Sequence, residues 1–584
     1  MFNRRWLEGL ALITLLATAC QDEKKTPAPE AFKPHTPRWA FEPWISKDIS
    51  DTDDTRAFVQ GFKDRKIPVG VVVLDSPWET NYTTFVPNPV RYHGFNELVS
   101  ELRGQNIRMV LWTTQMVNNQ SFDLEATGDK YDEASPNFGE AMSRGYFVNG
   151  GKIYQWWKGF GAGIDFFNPA AMEWWHPQQN GVIDAGIGGW KLDFGEDYIT
   201  DSTLTTAKGT VTHQEYSEAY YHDFLQYGRQ RAGKDFLTMV RPWDKSYAFT
   251  GRFYAKPEDA PVAWVGDNRR DWVGFVDALD HIFISARAGY VVIGSDIGGY
   301  LDRDDVNITT NIPFSSEVFL RWTAVGALTP FMQLHGRANL TPWTVPERAE
   351  ETVTAYRYWS TLHHELVPFF YSLAEEQYAG GARLLDPVGE AASWPGDYRF
   401  VVGNSLLVAP LLDDSGKRDV ELPAGSRWYD WWQPEGEVIE GGTKITQYDS
   451  TDSKHIPLFV REGAIIPMTV SSEETGFGTD ASANALTVLV WPAQSTSTFT
   501  LHEEDDSTTT IEASRSTIAI ARALKPTVFR VRANGSTGAT ANGTALTSVA
   551  SRAALDSAAS GVWSDGAYLW VKIAAGAKTE IALK

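Results

Sequence analysis

The chain has 584 residues, with 52 Lys and Arg against 74 Asp and Glu, and a formal net charge of −22. A surface this acidic repels phosphate backbones and anionic lipid, which argues against nucleic acid and against charge-driven membrane binding. A single Cys excludes internal disulfides and Cys-based zinc sites, and 23 Trp need either a large core or a surface that stacks flat ligands.

Residues 1–20 read as a signal peptide of the lipoprotein type. Arg4 and Arg5 form a basic start, Leu10 to Leu16 an apolar core too short to span a bilayer, and Ala17 to Ala19 a small-residue cleavage point. Cys20 follows directly, in an arrangement similar to a bacterial lipoprotein signal whose Cys is lipidated. The expectation is an exported lipoprotein of the bacterial cell envelope (periplasm or outer membrane), with plain secretion as the alternative. Residues 21–37 are charged and Pro-rich, so they predict a tether.

From residue 38 to about 375, short apolar runs alternate with helical segments. The runs are 38–45, 69–75, 108–114, 189–193, 235–241, 262–267, 290–296 and 328–335. Helical character fits Thr55–Arg65, Phe95–Gly104, Ala170–Ala185 and His213–Gly233. Eight near-continuous apolar strands alternating with helices predict an α/β fold, a closed parallel (β/α)8 TIM barrel. Asp75, Asp193, Arg241, Asp267, Asp296 and His335 end runs and should converge on one mouth, because barrel sites collect at the carboxyl ends of strands. The long Gly-rich, aromatic connection from Thr113 to Asp165 predicts a lid or binding loop. Short alternating strands then predict two all-β sandwiches, a proximal one over 376–470 and a distal one over 471–584.

The chemistry is concentrated in two stretches. In GGWKLDFGED, Lys191 and Asp193 lie two apart on a strand and share a face, so the cation favours an ionised carboxylate suited to nucleophilic attack. In AWVGDNRRDW, Asp267 ends another strand behind Trp264, a setting that raises a carboxyl's pKa and suits a general acid. Two carboxyls pushed apart in pKa are the apparatus of glycoside hydrolysis. A lone strand-end Asp is more often a cap or an ion pair, but several on one mouth, interleaved with Trp, shift the balance.

The motifs WKLDFGE (190–196), VAWVGD (262–267), GSDIGGY (294–300) and FMQLHG (331–336) resemble, in order and spacing, those of glycoside hydrolase family 31. The family comprises retaining, exo-acting α-glycosidases and some transglycosylases. The resemblance covers about Arg38 to Pro467, including FVVGNSLLVAP and IPLFVREGAIIP of a following β-domain. It implies Asp193 as nucleophile and Asp267 as general acid/base, with Arg241 near the nucleophile. It also implies Asp75, Trp112, Asp296 and His335 holding the sugar in the −1 subsite. Lys191 and Trp264 complete the expected site.

Three departures stand out. The barrel begins almost at the tether, without the family's usual preceding β-sandwich. Pro77 replaces the Asp of the α-glucosidase members, and SPWE (76–79) leans toward the α-galactosidase branch. Gln333 stands where an Arg usually precedes the His by two. Trp156 and Trp157 could serve as lid or stacking platform, while Trp174–Trp175 and Trp431–Trp432 fit packing. Glu503 to Asp506 read as a solvated turn rather than a Ca²⁺ loop. The expectation is a hydrolase with no cofactor and no metal. Its partner would be an oligosaccharide or α-glycoside, with no nucleic acid and membrane contact only through Cys20. The rivals are α-glucosidase or α-xylosidase specificity, α-transglycosylation, and a non-catalytic carbohydrate-binding lipoprotein.

Overall fold

The computed structural model describes residues 35–124, 128–244, 249, 251–304, 309–532 and 535–584. The export signal, Cys20 and most of the tether lie outside these residues. Eight parallel strands form the first domain: β1 Trp44–Lys47, β2 Val71–Leu74, β3 Arg108–Thr113 and β4 Gly189–Leu192. They continue as β5 Leu237–Val240, β6 Val262–Trp264, the two-piece β7 Ile293–Gly294 and Asp296–Ile297, and β8 Gln333–Leu334. The first piece of β7 pairs with β6 and the second with β8, so the ring closes through Ser295. Every residue of β2 and β4 is buried, as expected where helices cover the outside and side chains fill the inside.

Helices follow the strands where the sequence places them, at Thr52–Asp64, Phe95–Gly104, Pro169–Ala185 and His213–Ala232. Their starts are set by side chains that accept otherwise unpaired backbone N–H groups. The Asp51 carboxylate accepts from the Asp54 N–H, and Thr212 with Glu215 forms a reciprocal capping box. Trp175 is completely buried on the inner face of its helix, which answers the packing expectation for that pair.

The long connection after β3 folds into a three-stranded antiparallel sheet of Met116–Ser121, Gly159–Gly163 and Tyr154–Trp156 beside the barrel mouth. Beyond the barrel, a six-stranded antiparallel sheet runs from Leu385–Pro387 to Leu458–Arg461 and carries Trp428 in its core. Two further sheets, of five and six strands, enclose a separate apolar core around Phe529, Ile511 and Val571. Strand Ile465–Met468 pairs with Leu486–Val490 and so belongs to the five-stranded sheet. Barrel and first sandwich are tied together by Arg321, whose buried guanidinium donates to the carbonyls of Ser450, Asp452 and His455. This is the expected α/β barrel followed by all-β sandwich sheets.

Candidate active site

The strand-end residues meet in a cleft of about 110 Å³ at the carboxyl end of the barrel. Its wall includes Asp75, Trp112, Lys191, Asp193, Arg241, Asp267 and His335, and it divides into two halves.

One half is built around Arg241. Its Nη2 donates to Asp193 Oδ1 at 2.8 Å and to Asp267 Oδ1 at 3.0 Å. Asp193 also accepts from the Trp112 indole N–H at 3.0 Å and from the Phe194 backbone N–H at 2.9 Å. The chain turns sharply after Asp193, and Gly195 makes the turn possible. A Cβ there would sit 2.3 Å from Gln115 Oε1 and 2.8 Å from Thr114 Cβ. Burial works against charge on Asp193, but Arg241, Lys191 and the two N–H donors outweigh it and hold the carboxyl below its usual range. Both carboxylates keep some access to the cleft, with side-chain exposures of 14% for Asp193 and 20% for Asp267.

The other half is an ion network. Lys191 Nζ donates to Asp75 Oδ2 at 2.7 Å and lies 3.4 Å from His335 Nδ1. His335 Nε2 lies 2.8 Å from Asp48 Oδ1, and the Tyr300 hydroxyl donates to Asp48 Oδ2 at 2.8 Å. Burial disfavours the charge on Lys191, yet Asp75, Asp296 and Asp193 together raise it above the normal lysine value. Asp75 itself is pushed up by burial and by Asp48, against the pull of Lys191. Ligand-type atoms of Asp48, Asp75 and His335 cluster within 4.8 Å, but they are engaged with Lys191 and with one another.

Two expected residues sit behind the wall rather than in it. Asp296 is buried, 3.7 Å from His335 Nδ1, and its Oδ1 accepts from Gln333 Nε2 at 2.6 Å. The Gln in place of the family's Arg is thus a neutral partner for Asp296. Trp264, expected to face a sugar, is completely buried. It lies under the Lys191 ammonium at 5.2 Å and the Arg241 guanidinium at 5.0 Å from its ring, so it supports the cations instead.

Several cleft residues escaped the sequence reading. Asp48, Tyr300 and Arg337 line one side, and Phe194 and Tyr198 the other, beside Trp157, which was expected as lid or platform. The Trp156–Trp157 pair splits. Trp156 is buried and stacks on Trp112 with ring centroids 6.5 Å apart, whereas Trp157 turns into the cleft beside Tyr198. The SPWE stretch contributes only Ser76 to the cleft. Trp78 is buried with its indole N–H on the Trp112 carbonyl, and Glu79 is buried and accepts the Phe85 N–H. Glu196, within the WKLDFGE motif, also points away from the cleft. It accepts from Ser217 and Tyr221, and burial pushes it up to about 8. Trp432 packs beside Tyr358 and Trp359. Glu504, Asp505 and Asp506 pair with Lys525, Arg522 and Lys234 on the surface.

Known proteins share this fold and these segments. Residues 33–373 match the glycosyl hydrolases family 31 TIM-barrel domain, and residues 378–466 match the glycosyl hydrolase family 31 C-terminal domain. Alpha-glucosidase 2 of Bacillus thermoamyloliquefaciens is 26% identical over 505 residues, which are 82% of this chain and 59% of that protein. An alpha-xylosidase of Emericella nidulans is 24% identical, over 75% of this chain and 54% of that protein. A solved structure of the cycloalternan-forming enzyme from Listeria monocytogenes, in complex with its pentasaccharide substrate, has the same fold. Its TM-score is 0.79 at 22% identity, covering 94% of this chain and 54% of that one. The chain thus spans little more than half the length of the curated relatives it matches. With both domain models matched in sequence order and more than half of its residues accounted for, the chain belongs to glycosyl hydrolase family 31.

Proposed function

We propose that this chain is a retaining α-glycosidase that removes terminal α-linked sugars from oligosaccharides or glycosides. The observation that carries this reading is the shared Arg241 nitrogen. The two carboxylate oxygens it binds can be no farther apart than its 2.8 Å and 3.0 Å contacts laid end to end. So close an approach of the two nearer oxygens suits the roughly 5–5.5 Å spacing of retaining enzymes better than the roughly 6.5–9.5 Å that leaves room for water in inverting ones.

In this mechanism Asp193 attacks the anomeric carbon as the glycosidic C–O bond breaks, and Asp267 gives its proton to the leaving oxygen. Asp267 then takes a proton from water, whose oxygen attacks the anomeric carbon and releases Asp193 as carboxylate. Arg241 and the Trp112 N–H keep Asp193 ionised and oriented. Lys191, Asp75 and His335 form the hydrogen-bonding floor under the sugar, and Trp157 and Tyr198 offer ring faces against which sugar C–H groups pack.

For the sugar itself, the names of the relatives favour glucosides and xylosides over galactosides. The galactosidase leaning rested on SPWE and on Pro77 in place of the α-glucosidase Asp; within SPWE, Trp78 and Glu79 are buried away from the cleft. Transfer to a second sugar instead of water is the alternative, suggested by the cycloalternan-forming enzyme's similarity. Export with lipidation at Cys20 is part of the same proposal. No helix among the described residues is long and apolar enough to cross a membrane, so a membrane location would rest on that anchor, and Cys20→Ser should release the protein from the membrane fraction.

A panel of p-nitrophenyl α-glucoside, α-xyloside, α-galactoside and α-sulfoquinovoside tests the reading. Release from the glucoside or xyloside is expected, with the α-anomer formed first by NMR. Release from none of the four, or a β-anomer as first product, overturns it. Product analysis at high substrate separates hydrolysis from transfer.

A further inference from the structure

Asp48 is a charged residue of the cleft for which the mechanism above has no task. Asp48 lies just past the end of β1, and each of its polar groups is engaged. Its Oδ1 faces His335 Nε2 at 2.8 Å, and its Oδ2 accepts the Tyr300 hydroxyl at 2.8 Å. Its backbone N–H donates to Asn339 Oδ1 at 3.0 Å, while its carbonyl accepts from Asn339 Nδ2 at 3.0 Å. One residue thereby joins the end of β1, the loop after β7, the end of β8 and the loop that follows it.

We infer that Asp48 is a positioning residue for the cleft, fixing the His335 ring and the Tyr300 hydroxyl in a single orientation toward the sugar. Flipping the ring would set a carbon against the Asp48 carboxylate and forfeit a charge-assisted hydrogen bond. The rings of Tyr300 and His335 lie 4.9 Å apart, so each limits the space into which the other can turn. Both residues line the cleft, and so their orientation bears directly on the bound sugar.

The charges around His335 come from four strands. Asp48 stands at 2.8 Å and Asp75 at 3.8 Å from Nε2, with Lys191 at 3.4 Å and Asp296 at 3.7 Å from Nδ1. Three carboxylates thus oppose one ammonium. Burial and Lys191 work against a charged ring, but Asp48 and Asp296 outweigh them and raise His335 to about 10. Removing the nearest carboxylate must lower that value, because it takes away an anion and leaves Lys191 in place.

The test is Asp48→Asn, which keeps the shape and removes the charge. In histidine-labelled protein, the His335 signals of the wild type should stay in the imidazolium form up to pH 8.5, whereas in D48N they should titrate within that range. This inference rests on the glycosidase reading for its kinetic arm and for the sugar as the ligand faced. In the kinetic arm, D48N should lower kcat/KM about tenfold at neutral pH, and Asp48→Glu should recover most of it. A merely structural role would lower activity without changing the His335 titration. Identical His335 titration in wild type and D48N overturns the inference. If the wild type cleaves none of the aryl glycosides, the glycosidase reading falls, and the NMR titration still decides the role of Asp48.

Discussion

The two halves of the cleft use the same residue types in opposite ways. Around Arg241, one cation is shared by two carboxylates that keep 14% and 20% of their side-chain surface. Around Lys191 and His335, two cations are surrounded by Asp48, Asp75 and Asp296, whose side chains are 5%, 10% and 1% exposed. A group that must form a bond or pass a proton needs access and incomplete neutralisation. A group that only holds something is best enclosed among opposite charges. The difference teaches that carboxylates in one pocket are sorted by what surrounds them rather than by their identity.

The strongest way to break this comparison is to remove the carboxylate at the reactive end. Asp193→Asn should lower kcat for the cleaved aryl glycoside by on the order of 10⁴-fold or more while leaving the fold intact. Steady-state kinetics with circular dichroism as a folding control measures this. Substantial retained activity would move the nucleophile elsewhere, and Asp75 in the enclosed network would become the first residue to test.

Next in size is Asp267→Ala, with an expected loss of roughly 10²–10⁴-fold that depends on the leaving group. An aryl group that departs readily needs little protonation, so the loss should be smallest for the most acidic phenol and largest for a natural disaccharide. Equal losses across a leaving-group series would remove the acid role. A linked experiment uses Arg241→Gln. Arg241 helps hold Asp193 below the usual carboxylate range, so without it the Asp193 carboxyl rises and less of it is ionised at a given pH. The acid limb of kcat/KM should therefore move to higher pH, and a limb that stays put would show that Asp193 does not titrate there.

Much of this arrangement was legible from the residues alone, for a physical reason. Parallel strands buried on both faces read as apolar runs, and the polar residue that ends each run is the one the barrel presents at its mouth. Asp75, Asp193, Arg241, Asp267 and His335 were visible in that way. Asp48 was not, because the run before it was drawn as 38–45, whereas residues Arg38–Phe41 form a 3₁₀ turn and β1 extends to Lys47. Asp48 then falls in DISDTDD, which has the acidic look of a helix start, and Asp51 does cap the next helix. Trp264 misled for a related reason. The β6 strand ends with its indole buried beneath two cations, and neighbouring strands decide which strand-end residue reaches the open space. Tyr300 and Arg337 come from loops, where side-chain direction follows from long-range packing that no local pattern encodes.

A smaller effect is expected on the aromatic side of the cleft. Trp157→Ala removes a ring that lines the cleft beside Tyr198 without touching either reactive carboxylate. Loss of such a stacking surface costs about 1 kcal/mol, so kcat/KM should fall about fivefold to tenfold, mostly through a higher KM. If kcat falls instead, the ring supports the transition state and belongs functionally with the Arg241 half.

The smallest effect is expected at the acidic cluster of the distal sandwich, and the contrast with the cleft explains why. Glu504 pairs with Lys525 at 2.9 Å, a distance close to those in the active site, yet the two side chains are 57% and 46% exposed. Water solvates both ions and screens their attraction, so the pair contributes only a few tenths of a kcal/mol. Lys525→Ala should therefore leave kcat/KM unchanged and shift the thermal midpoint by no more than about 2 °C, measured by calorimetry in low and high salt. Inside the cleft the proposed Asp48–His335 contact should matter far more, because both of its partners are buried. A large loss of stability in K525A would mean that the distal sandwich relies on its surface charges, and burial would no longer suffice to separate working carboxylates from idle ones.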